Sequence, residues 1–127
     1  MMPSANTTDV VQAYYTSWSN GPDRFDEAGL RDILAPDLQF HGSIAGPRVG
    51  AEPFIKGVAD IARALKSFRM IQFVTQGSEA AAIYECDLTR PRGTFMFAEF
   101  FRVEHGKIQS LNLTYDGTEF RKLISSS

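Results

Sequence analysis

The sequence predicts a single α+β domain in which three helices come first and cover one face of a mostly antiparallel sheet. Apolar residues recur at helical spacing in the first half of the chain and alternate with polar residues in the second half. Short turns join the alternating segments. With 127 residues the chain can bury a core without disulfides or metal ions. We therefore expect one domain over residues 1–127, with residues 1–7 and 125–127 flexible.

The first predicted helix has an aromatic inner face. It begins after Thr7 or Thr8 as its cap, and Asn20-Gly21 ends it. Helical spacing places on one face Val11, Tyr14, Tyr15 and Trp18. Such a face packs against a sheet.

A second and a third helix follow. The second begins near Asp23 and ends at Pro36, because proline cannot donate the backbone hydrogen bond that a helix needs. Its apolar stripe is Leu30, Ile33 and Leu34. A short strand, Leu38 to His41, and a loop, Gly42 to Gly50, precede the third helix. The apolar face of that helix carries Phe54, Val58, Ile61, Ala62 and Leu65.

Four strands are predicted after the helices. Their ranges are Arg69 to Gln76, Ala80 to Thr89, Thr94 to Val103 and Lys107 to Tyr115. The connecting turns contain Gly77-Ser78, Pro91-Arg92-Gly93 and His105-Gly106, which are short enough to join antiparallel neighbours. The strands therefore form a meander.

The strand Thr94 to Val103 has two apolar faces. One face carries Phe95, Phe97, Glu99, Phe101 and Val103, and the other carries Met96, Ala98, Phe100 and Arg102. Only one of them can pack against the helices. The face with Met96 and Phe100 would stay exposed unless a second copy covered it, so we expect a homodimer.

Glu99 is the one ionisable group on its face of this strand. If that face is interior, desolvation raises the pKa of Glu99 and favours the neutral acid, which can donate a hydrogen bond. The alternative is a structural role in which Glu99 pairs with Arg102, Arg69 or a backbone group.

His41 is a candidate general base, because histidine titrates near neutral pH. A single histidine is as often a hydrogen-bonded structural residue, and no second histidine at ligand spacing suggests a metal site. Tyr14 or Tyr15 could point a hydroxyl into a cavity, and the spacing does not decide between them. We expect that cavity to be lined by Trp18, Phe54, Tyr84, Phe97, Leu111 and Tyr115.

Composition excludes several classes of partner. The chain has 13 Lys and Arg and 15 Asp and Glu, and its net charge is −2. It therefore lacks the excess of positive charge that binds nucleic acid or an anionic membrane. The single cysteine, Cys86, excludes an internal disulfide. The first residues lack the features of a signal peptide, and no apolar run reaches the length of a membrane span. We expect a cytoplasmic protein that uses no metal or cofactor and binds a small apolar molecule.

Several segments also carry a resemblance to a known family. They are Val10-Val11-Gln12-Ala13-Tyr14, Ala35-Pro36-Asp37, Phe40-His41-Gly42, the helix start at Gly50, Phe100-Phe101-Arg102-Val103 before Gly106-Lys107-Ile108, and Leu113-Thr114-Tyr115-Asp116. With them the whole chain resembles the nuclear transport factor two-like superfamily, especially its SnoaL-like and ketosteroid isomerase-like members. The resemblance implies a cone-shaped α+β domain whose curved, mixed sheet encloses a pocket. It implies no single activity, because isomerases, cyclases, hydrolases, dehydratases and binding proteins share this fold.

The ketosteroid isomerase resemblance suggests roles for three residues. Tyr14 takes the place of the oxyanion-hole tyrosine, Glu99 that of the second donor, and His41 that of the catalytic aspartate. Because His41 replaces the base aspartate and Val58 replaces a supporting tyrosine, steroid isomerisation is not expected. The resemblance implies proton transfer, isomerisation or cyclisation on a mostly apolar carbonyl substrate. The alternative is a ligand-binding or dimerising module without chemistry, and the test is whether His41 and Glu99 face one cavity.

A resemblance to limonene-type epoxide hydrolases rests on Thr114-Tyr115-Asp116 alone. Leu113 stands where those enzymes have an acid, and their earlier Arg–Asp pair is not evident, with Glu85 and Asp87 the nearest acids. Epoxide opening is therefore not expected. Asp116 is interpreted as a residue that anchors the strand end, with a catalytic role as the alternative.

Overall fold

Three α-helices and six strands make up most of the chain in this computed structural model, which describes residues 6–42 and 46–115. The elements in order are α1 (Thr7–Trp18), a 3-10 turn (Pro22–Arg24), α2 (Glu27–Asp32), β1 (Leu34–Gly42), β2 (Gly46–Val49), α3 (Ala51–Ala64), β3 (Leu65–Gln76), β4 (Glu79–Thr89), β5 (Arg92–Glu104) and β6 (Lys107–Tyr115). Asp116 and residues 125–127 lie outside the described part of the chain, as do most of residues 1–7.

The six strands form one sheet in the order β2-β1-β6-β5-β4-β3. β1 runs parallel to β6, and every other pair of neighbours is antiparallel. The predicted meander is confirmed, since β3 to β6 pair in sequence order. The predicted fold class, an α+β domain with a curved mixed sheet and helices on one face, is also confirmed.

The inner face of the sheet packs against the helices. α1 contacts β4, β5 and β6, and α3 contacts β1 and β4. Along β5 the alternation is as predicted, because Phe97, Glu99 and Phe101 are buried while Met96 and Phe100 are exposed. Apolar burial between helices and sheet is the main force that holds α1 and α3 in place.

The second predicted helix is wrong in its limits. α2 begins only at Glu27, after Asp26 caps it by accepting a hydrogen bond from the backbone N–H of Gly29 at 2.9 Å. It ends at Asp32, and Leu34 and Pro36 belong to β1 instead. Pro36 is tolerated there because the pairing of β1 with β6 is interrupted between Leu34 and Gln39, where no ladder needs its missing N–H.

The predicted loop Gly42 to Gly50 is also wrong, because it contains the edge strand β2. β2 pairs antiparallel with β1, with Phe40 opposite Arg48 and His41 opposite Pro47. Among the described strands β2 is at the edge of the sheet, where a proline is tolerated. The strand is short and rich in turn-forming residues, so its composition indicated a loop.

The cap of α1 differs from the prediction by one or two residues. The side chain of Asn6 accepts a hydrogen bond from the backbone N–H of Asp9 at 2.8 Å. Thr7 and Thr8 therefore do not cap the helix. The Thr7 hydroxyl instead donates to the carbonyl of Gly77, in the turn after β3, at 2.7 Å. In the part of the chain that is described, no helix is long and apolar enough to cross a membrane.

Candidate functional site

A cavity of about 260 Å³ lies between α1, α3 and the inner face of the sheet. The residues expected to line it all do so: Trp18, Phe54, Tyr84, Phe97, Leu111 and Tyr115. Further lining residues that the sequence did not indicate are Phe40, Gly42, Pro53, Gly57, Ile61, Cys86 and Leu113. Val58 lines it too, where the isomerase pattern has a tyrosine. Most of this surface is apolar, and polar groups are few.

The helical spacing on α1 and the alternation of side chains on β5 place these residues at the cavity. Tyr14 and Trp18 are four residues apart on α1 and so share one face of the helix. On β5, Phe97 and Glu99 are two residues apart and share the inner face of the sheet. Glu99 is the only acidic residue in the lining within the described residues, and no basic residue lies there.

The Glu99 carboxyl is held by two neighbouring tyrosines. The Tyr15 hydroxyl donates to Oε1 at 2.7 Å, and the Tyr14 hydroxyl donates to Oε2 at 3.1 Å. Both tyrosines therefore donate hydrogen bonds to Glu99, but of the two only Tyr14 also lines the cavity.

Burial dominates the protonation of Glu99, whose side chain is 1 % exposed. Desolvation raises its pKa from the ordinary 4.5 to about 7, against the nearby hydroxyls of Tyr15, Tyr84 and Tyr14, which favour the charged form. Near neutral pH both forms are populated. The ionised carboxylate accepts from the tyrosines, whereas the neutral acid can itself donate a hydrogen bond into the cavity.

The three tyrosines remain protonated donors. Burial raises the pKa of Tyr14, Tyr15 and Tyr84 far above the ordinary value of 10, and the nearby charge of Glu99 raises it further. A tyrosinate is therefore not the base in this cavity.

Glu99 does not form the ion pair with Arg102 or Arg69 that was part of its structural alternative. Arg102 pairs with Glu104 and Arg69 pairs with Glu85. Side chains alternate along each strand, so Arg102 lies on the face of the sheet opposite to Glu99. Glu99 has tyrosine partners instead of a cation.

His41 lies outside the cavity. It is exposed, while its neighbours on β1, Phe40 and Gly42, both line the cavity. Alternation along the strand therefore turns His41 to the outer face, beside the exposed Asn112 of β6. The expectation that His41 and Glu99 share one cavity is wrong. The apolar Phe40 next to His41 was the sequence signal for this orientation.

Two further polar groups lie at the cavity. The thiol of Cys86 is buried, and burial raises its pKa to about 12, so it stays protonated and is a poor nucleophile. Among the described residues, the buried indole N–H of Trp18 has no hydrogen-bond partner of good geometry, although it lies close enough to the Tyr14 hydroxyl to lower the pKa of that group. The same part of the chain contains no group of three or more acidic, His or Cys side chains that could hold a metal ion.

Comparisons with known proteins agree with the fold. A family model described as a SnoaL-like domain matches residues 11–111. None of the curated proteins matches the sequence significantly. The solved structures described next are less than 25% identical to this chain, so their similarity shows the fold alone.

Three similar solved structures cover almost all of the chain. A protein from Kribbella flavida DSM 17836 has 22% identity and a TM-score of 0.82, over 98% of this chain and 97% of its own. A putative SnoaL-like polyketide cyclase from Jannaschia sp. CCS1 has 12% identity and a TM-score of 0.73, over 100% and 99%. TerC, co-crystallised with polyporic acid, has 20% identity and a TM-score of 0.68, over 91% and 98%.

Proposed function

We propose that this chain, which belongs to the SnoaL-like domain family, binds a small, mostly apolar carbonyl compound with Glu99 as its polar anchor. The buried carboxyl of Glu99 at the wall of an apolar cavity is the observation that carries the proposal. In its neutral form Glu99 donates a hydrogen bond to the carbonyl oxygen. The aromatic and aliphatic walls supply the contact area.

The size and lining of the cavity limit the ligand. A volume of about 260 Å³ is close to the lower end of ligand pockets in proteins, which suits a compound of two fused rings rather than an extended one. Because no basic residue lines the cavity in the described chain, a strongly anionic ligand would lack a counter-charge.

A second candidate function is proton transfer on such a ligand, and the pKa of Glu99 favours it. A carboxyl with a pKa of about 7 can both take and return a proton near neutral pH. Ionised Glu99 would remove a proton from the carbon next to the carbonyl, and the Tyr14 hydroxyl would stabilise the resulting enolate oxygen. Glu99 would then return the proton to the ligand. This scheme needs no contribution from His41.

Binding of 1-tetralone, a bicyclic ketone, tests the anchor. The ketone accepts a hydrogen bond from neutral Glu99, so affinity is highest below the pKa of about 7 and falls as the pH rises through it. We expect a loss of roughly fivefold to tenfold between acidic and alkaline buffer by calorimetry, which is the net worth of one hydrogen bond.

Two variants serve as controls for this measurement. Glu99→Gln keeps an amide donor at every pH, so its affinity for 1-tetralone should not change with pH. His41→Ala should behave as the wild type, because His41 lies on the outer face. An unchanged pH dependence in Glu99→Gln would show that Glu99 is not the anchor.

Hydrogen–deuterium exchange on 1-tetralone separates binding from proton transfer. If Glu99 acts as a base, the protein should accelerate exchange at the carbon beside the carbonyl in D₂O, followed by NMR. Glu99→Gln should reduce this acceleration by roughly 10² or more, the usual contribution of a positioned base. Exchange at the same rate in wild type and variant, with 1-tetralone bound in both, would restrict the chain to binding.

We also propose that the chain forms a homodimer through the outer face of the sheet. Its centre is apolar: Val74, Ala81 and Phe100 lie side by side on three neighbouring strands, and Val74 and Phe100 are 52% and 53% exposed. Met96, 56% exposed, extends this surface. The charged Glu79 lies opposite Arg102 in the register of β4 and β5, at the margin of this surface. An apolar centre with a polar rim is the usual anatomy of an interface, and a second copy presents a self-complementary patch.

Sedimentation of a Phe100→Asp variant tests the dimer. A charge at the centre of the interface cannot be desolvated without a partner, so this variant should be a monomer under conditions where the wild type has twice the mass of one chain. Val49→Asp, at a 68% exposed position on the edge strand β2, is the matched control and should remain dimeric. A monomeric wild type at high concentration would refute the proposal.

A further inference from the structure

Two glycines in the lining of the cavity are required neither by the backbone nor by packing. Gly57 lies inside α3, and Gly42 is the last residue of β1. Neither has the positive φ that favours glycine over other residues. A Cβ atom built on either residue would meet no atom of another segment within 4 Å. Each glycine therefore leaves open space where another residue would carry a side chain.

Gly57 weakens the helix that contains it. Glycine in a helix interior is less favourable than alanine, because it loses more conformational freedom on folding. Gly57 is the only glycine between Ala51 and Ala64, and it lies near the middle of α3. Alanine would fit at this position without displacing a neighbouring segment. The stability of α3 therefore favours alanine, and what glycine adds is room beside the cavity.

The place of Gly57 on α3 shows where this room lies. Pro53 and Ile61, four residues before and after it, also line the cavity, so the three positions follow one side of the helix. Phe54 and Val58 line the cavity from the next row of α3 and are buried, whereas Pro53 and Gly57 are exposed. The row with Gly57 thus borders the mouth of the cavity, where it meets solvent. A side chain at this position would extend into the mouth.

Gly42 lies on the wall of the cavity against which α3 packs. The rings of Phe40 on β1 and Phe54 on α3 are in contact, with centres 5.1 Å apart. Gly42 follows Phe40 by two residues and so shares its face of the sheet, where it is buried. Beyond this contact each of the two elements therefore continues with a glycine in the lining.

We infer that Gly57 keeps the mouth of the cavity open, so that the cavity takes a ketone whose alkyl chain extends toward solvent. The inference rests on the proposed function, in which Glu99 holds the ketone. The enclosed volume of about 260 Å³ limits the part of the ligand inside, and a longer molecule has to leave through the mouth. Pro53 and Ile61 beside Gly57 are apolar, which suits an alkyl chain rather than a charged group.

Acetophenone and hexanophenone test this inference, because they share the ring and the ketone and differ only in the length of the alkyl chain. By calorimetry the wild type should bind hexanophenone roughly tenfold or more tightly than acetophenone, since each buried methylene contributes about fourfold. Gly57→Leu fills the mouth and should abolish this preference while changing the affinity for acetophenone less than about twofold. Lys56→Leu is the matched control. It puts the same side chain on the neighbouring exposed residue, outside the lining, and should keep the preference of the wild type.

Gly57→Ala separates the role in binding from a role in folding. Its melting temperature should be about 2–4 °C above that of the wild type, because alanine is the better helix residue. Its affinity for hexanophenone should fall roughly threefold to fivefold, the worth of about one methylene contact. A more stable protein with a weaker preference for the long ketone is the expected result. A lower melting temperature would show that the fold itself needs glycine and would overturn the inference.

The remaining outcomes distinguish this inference from the proposed function. An unchanged ratio of the two affinities in Gly57→Leu, or a wild type that binds acetophenone but not hexanophenone, would overturn the role of Gly57 and leave Glu99 as the anchor. Failure of the wild type to bind acetophenone, hexanophenone or 1-tetralone at any pH would overturn the proposed function, and the inference with it.

Discussion

A carboxyl group removed from water determines much of the arrangement around the cavity. Moving an ionised carboxylate into an apolar interior costs several kcal/mol even after the protein relaxes, so Glu99 requires either compensation or protonation. The fold provides some of each. Two tyrosines from α1 donate to its two oxygens, and the surrounding rings keep water out. The position of α1 over β5 is thereby tied to the chemistry of one side chain.

Relative magnitudes explain why Glu99 is poised between two protonation states. A hydrogen bond to a charged group contributes about 1.5–3 kcal/mol, so donors of this kind could together hold the carboxylate ionised. Burial nevertheless outweighs these hydrogen bonds. The pKa of Glu99 therefore lies near 7 instead of below 4.5. The tyrosines limit the rise that desolvation alone would cause. A group that changes charge near neutral pH can donate to a ligand in one state and accept a proton in the other.

The features that the sequence predicted are those with a clear local period. The alternation on β5 placed Glu99 inside and Phe100 outside, and helical spacing put Tyr14 and Trp18 on one face. Short turns predicted the meander correctly. The order of the elements, with the helices first, predicted the helical cover, and the resemblance to a family predicted the curved sheet.

The features that the sequence missed depend on contacts between distant segments. Nothing local shows that an interrupted pairing with β6 would make room for Pro36 within a strand. The orientation of His41 follows from its place in β1. The sequence predicted a shorter strand, because Pro36 indicated the end of the preceding helix. Spacing alone could not show that Tyr14 and Tyr15 serve opposite oxygens of Glu99, because this depends on how α1 is docked over β5.

The side-chain carboxyl carbon of Glu99 offers the most direct test of this account. Its ¹³C chemical shift, assigned by the loss of the signal in Glu99→Gln, can be followed against pH by NMR in the protein without ligand. We expect a titration midpoint near 7, because burial outweighs the hydrogen bonds from the tyrosines. A midpoint at or below the ordinary value of 4.5 would contradict it, since Glu99 would then be a permanently ionised acceptor that cannot donate to a carbonyl ligand.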